Sequence, residues 1–282
     1  MSHAKDHQTP PPSLAFINLS FPASHVVLIT LNRPEMLNAM NDILEAEINQ
    51  SLRWFENDPG LWVAILTGAG RAFCAGRDLK SWNNDQKSGK QDEANVLISS
   101  ENGFGSVSRR RSPKPIIAAV HGAAMGGGFE MVLNCDLVIA AEGAKFAFPE
   151  ALRGVVAAAG GIPRLVRVAG HQLASELLLT GRTVSALEGR DRFRFVNAVV
   201  PQSQLIATAV EYASRIVVAS PDAVLSTKDG LLKAQDFGSM EEIFRAHVAG
   251  EKSQNVYKGE NIKEGLRAFA EKRSPRWANP KL

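Results

Sequence analysis

The stretch Ile116-Ile117-Ala118-Ala119-Val120-His121-Gly122-Ala123-Ala124-Met125-Gly126-Gly127-Gly128-Phe129-Glu130 decides how this chain is read. Its opening apolar run suits a strand buried on both faces, as a parallel sheet requires. The glycines lead into Phe129, Met131, Val132 and Leu133, an apolar helix start. Glycines at such a point let a ligand approach backbone N–H groups where the helix dipole favours negative charge. Taken alone, they fit a tight strand-to-helix turn better than a ligand site. Glu130 shares a helix face with Gly127 and sits among apolar neighbours. A charge that complements the helix dipole is its plainer explanation.

The same layout recurs on either side. The strand Val63 to Thr67 runs into Ala72-Phe73-Cys74-Ala75-Gly76-Arg77-Asp78-Leu79, and open α/β sheets hold ligands at the carboxyl ends of their strands. Two backbone donors can therefore converge, one from each segment. Downstream, Phe146-Ala147-Phe148-Pro149-Glu150 adds a second acid, which also fits a simple helix-start role after Pro149. Further strands are expected at Val26 to Leu31, stopped by Asn32-Arg33-Pro34, at Leu137 to Ala141 and at Phe195 to Val200. Met40, Ile43, Leu44, Ile48, Leu52 and Phe55 recur at helical spacing and predict a helix from Asn38 to Phe55.

Strands alternating with helices make this an α/β chain. Residues 81–112 break the rhythm with a polar run and Arg109-Arg110-Arg111, and read as a surface excursion that can close over a ligand. Past residue 203 only helical patterns remain, at 204–219, 222–235, 240–249 and 261–271. Three regions follow: a flexible tail at 1–20, a core at 21–203, and a helical region at 204–282 suited to packing or assembly.

Composition narrows the function. The 282 residues, 45% hydrophobic and 22% charged with a net charge of +3, suit a soluble globular protein and announce neither a nucleic-acid nor a membrane partner. Cys74 and Cys135 have no metal-ligand spacing, and no metal is expected. No apolar stretch approaches the ~18 residues of a membrane span. The first twenty residues lack the features of a signal peptide or presequence. Pro280-Lys281-Leu282 is one residue away from the Ser-Lys-Leu peroxisomal address, which leaves peroxisome and cytoplasm both open. Gly68-Ala69-Gly70 has Phe73 where a dinucleotide fingerprint needs its third glycine, and Gly89-Lys90 lacks a P-loop's earlier glycine. No G-x-S-x-G occurs.

Taken together, Asn32-Arg33-Pro34 with Asn38-Ala39, Phe73 to Leu79, Gly126 to Glu130, Gly160-Gly161, Thr180-Gly181-Arg182 and Val196-Asn197 resemble the crotonase, or enoyl-CoA hydratase/isomerase, superfamily over nearly the whole chain. The resemblance implies a spiral of repeated β-β-α units with C-terminal helices that assemble trimers or hexamers. It implies an acyl-CoA substrate and no separate cofactor, coenzyme A being part of that substrate. The backbone N–H groups of Ala75 and Gly127 would hold the thioester oxygen, with Glu130 and Glu150 as the hydratase acids. Gly76, Arg77 and Asp78 would line the substrate, and Lys80 and Arg33 would stand near segments that in the family meet the coenzyme A nucleotide. The family often carries proline where this chain has Val155 to Ala159.

The chemistry suits the parts. Adding water to a 2-enoyl thioester builds enolate charge on the carbonyl oxygen, which fixed N–H donors stabilise. One carboxylate activates water and an acid protonates the α-carbon, the resemblance giving that acid role to Glu150. The leading expectation is therefore an acyl-CoA hydratase or dehydratase, a carbon–oxygen lyase. Isomerisation of an enoyl-CoA double bond needs only one of the acids. RNA binding through Arg109 to Arg111 is the non-enzymatic alternative, against which stands the absence of interleaved aromatics.

Overall fold

The apolar runs become strands buried on both faces. The computed structural model describes residues 6–78, 95, 98–236 and 238–280. In chain order its elements are β1 (Ile17–Ala23), β2 (Val26–Leu31), α1 (Asp42–Asn57), β3 (Val63–Gly68), β4 (Ala72–Cys74), β5 (Ile116–Val120), β6 (Ala123–Met125), α2 (Gly127–Asn134), β7 (Leu137–Ala141) and β8 (Lys145–Ala147). There follow α3 (Gly161–Ala169), α4 (His171–Thr180), β9 (Val184–Ser185), α5 (Ala186–Asp191) and β10 (Ala198–Val200). The rest is helical: α6 (Leu205–Val217), α7 (Pro221–Asp236), α8 (Met240–Val248), α9 (Glu251–Lys258) and α10 (Glu260–Ala270).

The strands form two sheets, ordered β1-β2-β3-β5-β7-β10 and β4-β6-β8-β9. Successive pairs β3/β4, β5/β6 and β7/β8 each place one strand in each sheet, so the chain winds as a spiral, as expected for the crotonase type. The larger sheet is parallel from β2 to β10, with Ala64 opposite Ile116 and Ile117 opposite Leu137. Its alternate residues explain the unbroken apolar runs. Val63, Ile65, Ile117, Ala119 and Ile139 pack with Leu205, Ala209 and Ala213 of α6. Ala64, Leu66, Ala118, Val120 and Val138 face the core that contains Phe73, Phe129 and Phe146.

Several expectations are corrected. The flexible tail does not extend to residue 20, because Ile17–Ala23 is a strand antiparallel to β2. Its alternation of Ile17, Leu19 and Phe21 with polar residues is the strand signal. Farther upstream, the N–H groups of Gln8 and Thr9 donate to the Asp58 carboxylate at 2.8 and 2.6 Å. The helix expected from Asn38 begins at Asp42 instead, since Leu37 and Asn38 lie in the left-handed region and the Asn41 side chain caps the helix by accepting the Leu44 N–H. The last strand shrinks to Ala198–Val200 because Arg194 is left-handed and the Asn197 side chain accepts the Val138 N–H at 2.7 Å. Among the described residues, no helix is long and apolar enough to cross a membrane.

Candidate active site

Two loops clasp each other before they meet the glycines. Asn38 is fully buried and donates to the carbonyls of Ala69 and Ala72 at 3.0 and 2.8 Å, while its Oδ1 accepts the Arg33 N–H at 2.9 Å. Arg33 in turn donates to the Ala39 carbonyl and pairs with Asp78 at 3.2 Å. Both Arg33 and Asp78 thus hold the 33–40 and 75–78 segments together. Lys80 lies outside the described residues.

The clasp fixes which N–H groups face the glycines. The Ala75 N–H donates to the Leu37 carbonyl at 3.0 Å, so Ala75 is not the oxyanion donor expected from the sequence. The Gly76 carbonyl accepts the Met40 N–H at 2.8 Å, and in a trans peptide the N–H points opposite the carbonyl. The N–H of Arg77 therefore points away from Met40. Gly76 itself, at φ +92°, runs along the glycine segment: a Cβ there would lie 3.0 Å from the Met125 oxygen and 3.9 Å from the Gly127 nitrogen. The two segments converge as expected, and it is the Arg77 N–H, not the Ala75 N–H, that is turned away from the Leu37–Met40 segment.

Gly127 opens α2, and the first helical N–H groups have no partner within a helix. A Cβ on Gly127 would lie about 2.5 Å from the Phe104 ring carbons, so only glycine fits. Sequence reasoning missed Phe104, which stood in an apparently irregular excursion.

Glu130 is 3% exposed, and its Oε1 accepts the Gly161 N–H at 2.9 Å. Burial pushes its carboxyl up to about 7; the Glu150 charge adds to this, and N–H groups of Gly161 and Ala159 pull partly back. Glu150 follows β8 by a short stretch and makes no side-chain cap. Its Oε1 sits beside Gly126, where a Cβ would lie 2.7 Å away, and its buried Oε2 has no hydrogen-bond partner among the described residues. Burial raises its carboxyl as well. Two desolvated acids thus interact here, Glu150 beside Gly126 and Glu130 in the first turn of the helix that Gly127 opens, and acids perturbed in this way can serve as an acid–base pair.

The arginine run is differently employed. Arg110 forms two bonds of 2.6 and 2.7 Å with Glu56, and Arg111 pairs with Asp236 at 2.8 Å. Charge neutralised in this way is a poor phosphate contact.

Comparison with known proteins identifies the family. Residues 22–280 match the family model described as Enoyl-CoA hydratase/isomerase. The chain is 47% identical to a mevalonyl-coenzyme A hydratase of Aspergillus fumigatus, covering 94% of this chain and 95% of that protein. It is 35% identical to a probable mitochondrial enoyl-CoA hydratase of Dictyostelium discoideum, over 90% and 88% of the two chains. Among solved structures, an enoyl-CoA hydratase from Mycobacterium tuberculosis superimposes with a TM-score of 0.84 at 32% identity, covering 94% of this chain and 99% of that one. On a match that spans all but its two ends, the chain belongs to the enoyl-CoA hydratase/isomerase family.

Proposed function

We propose that this acyl-CoA hydratase, a carbon–oxygen lyase, interconverts a 2-enoyl and a 3-hydroxyacyl thioester through Glu130, Glu150 and the N–H groups of Gly127 and Arg77. The observation that carries the residue roles is the pair of interacting acids, buried Glu130 in the first turn of α2 and half-buried Glu150 beside Gly126, the Glu150 Oε2 having no hydrogen-bond partner among the described residues. In hydration the thioester oxygen accepts the two N–H groups. Ionised Glu130 takes a proton from water as its oxygen bonds C3, and protonated Glu150 delivers a proton to C2. Dehydration reverses each transfer. One proton shared between two coupled acids serves both directions.

For the acyl group we propose a branched 3-hydroxy-3-methyl thioester with a distal hydroxyl, the mevalonyl type, on the strength of the relatives named for it. Incubation of the protein with mevalonyl-CoA and with 3-hydroxybutyryl-CoA, followed by mass spectrometry, should show loss of one water from both, faster from the former. A faster reaction of the straight-chain thioester would overturn the branched assignment.

We also propose homo-oligomeric assembly through the C-terminal helices, where Met240, Phe244, Leu266 and Phe269 expose large apolar surface. Sedimentation at micromolar concentration should give a trimer or larger; a monomer contradicts it. The peroxisomal address remains a proposal on Pro280-Lys281-Leu282 alone, tested by whether deleting the tripeptide from a fluorescent fusion disperses it.

A further inference from the structure

Phe104 lies on a short 3-10 turn, Phe104–Ser106, that is unusual in its backbone. Gly103, Gly105 and Ser106 have φ of 65°, 59° and 52°. A left-handed serine is strained, and such strain persists only where the surroundings enforce it. Here they do. The Ser108 hydroxyl donates to the Ala159 carbonyl at 2.7 Å, the Asn134 side chain donates to the carbonyls of Val107 and Arg110 at 2.6 and 2.8 Å, and the Arg109 N–H donates to the Asn102 carbonyl at 2.9 Å. The two glycines have no room for a side chain: a Cβ on Gly103 would lie 2.5 Å from the Ser108 hydroxyl, and one on Gly105 would lie 2.6 Å from the Met131 sulfur.

All this holds one ring in one place. Ring carbons Cγ, Cδ1 and Cδ2 of Phe104 lie 2.5 to 2.6 Å from where a Gly127 Cβ would stand. Simple core filling would put a small side chain at position 127 and bury the ring. Instead position 127 is glycine, and Phe104 keeps partial exposure while Gly103, Gly105, Ser106, Val107 and Ser108 are buried. The ring rests on the glycine, and the residue as a whole stays partly exposed.

We propose that Phe104 is a specificity-determining residue whose ring forms the wall against which acyl carbons beyond the thioester pack. This rests on the reading of Gly127 as an oxyanion donor. A thioester oxygen about 3 Å from the Gly127 nitrogen places C2 and its substituents next to whatever covers that glycine. The ring therefore bounds the acyl group and not the nucleotide. It favours short or compactly branched chains and excludes long ones. A hydrophobic wall of this kind discriminates single methylenes by roughly tenfold or more.

The test compares wild type with Phe104→Leu and Phe104→Ala, using kcat/KM for hydration of crotonyl-CoA and of trans-2-decenoyl-CoA. The ratio should shift towards the ten-carbon thioester by about tenfold or more in Phe104→Ala, and less in Phe104→Leu. Dissociation constants of butyryl-CoA and decanoyl-CoA should shift in the same sense. Those constants need no turnover, so a failure of the hydratase reading leaves this proposal testable. An unchanged ratio in the folded leucine variant, in kinetics and in binding, overturns it. A uniform loss for both chain lengths, which a merely structural role would give, overturns it too.

Discussion

Oε1 of Glu130 accepts the backbone N–H of Gly161 at 2.9 Å, joining the helix that carries Glu130 to the start of the helix that follows Glu150. The bond orients a carboxyl that burial has moved from its ordinary 4.5 up to about 7. A raised carboxyl costs stability when ionised. The folded state holds its proton up to about pH 7, whereas the unfolded chain releases it near 4.5. The penalty is therefore absent below 4.5, grows between 4.5 and 7, and is complete above that. Glu130→Gln should be more stable than wild type at pH 8 by on the order of 1 to 3 kcal/mol, with the gap closing at pH 4.5. Urea unfolding at the two pH values measures this. Equal stability at both would show that Glu130 is not desolvated.

Gly161 itself tolerates no side chain. A Cβ would lie 2.7 Å from Cζ of Phe148 and 2.9 Å from Cγ of Glu130. Gly161→Ala should cost about 1 to 3 kcal/mol, the usual range for overpacking, and should lower kcat more than it raises KM because it displaces an acid. Wild-type kcat in this variant would mean that the Glu130 position is not critical.

Asn38 makes three hydrogen bonds inside the clasp and is fully buried. Asn38→Ala leaves the carbonyls of Ala69 and Ala72 and the N–H of Arg33 without these partners. A loss of about 2 to 4 kcal/mol is expected, at 1 to 3 kcal/mol for each unsatisfied buried group with partial relief by water. Thermal unfolding reads it directly.

What the sequence made legible follows the length of its signals. The runs at 63–67, 116–120 and 137–141 are long enough to read, and each is a strand. β4, β6 and β8 have three residues apiece, too short for any periodicity, so the second sheet was visible only through resemblance. Glu130 and Glu150 stood out because acids among apolar residues need a reason. That the Ala75 N–H is taken up by the Leu37 carbonyl while the Arg77 N–H faces the other way could not be read, because it depends on which way one peptide faces once Asn38 has clasped the loop. Phe104 was hidden for the same kind of reason, its position depending on left-handed turns and not on pattern.

Gly127→Val should lower turnover by about two orders of magnitude, the scale of losing one oxyanion donor. The valine methyls would meet the Phe104 ring and tilt the N–H. Stopped assays with circular dichroism alongside separate a lost donor from a lost fold. Near-parental turnover would remove Gly127 from the site.

The most direct test is steady-state hydration of a 2-enoyl-CoA by wild type, Glu130→Gln and Glu150→Gln at one pH. Wild type should turn over, and each amide variant should fall by roughly a hundredfold or more while its circular dichroism is unchanged, the range of positioned acid–base groups. Hydration near the wild-type rate by both variants would contradict the account.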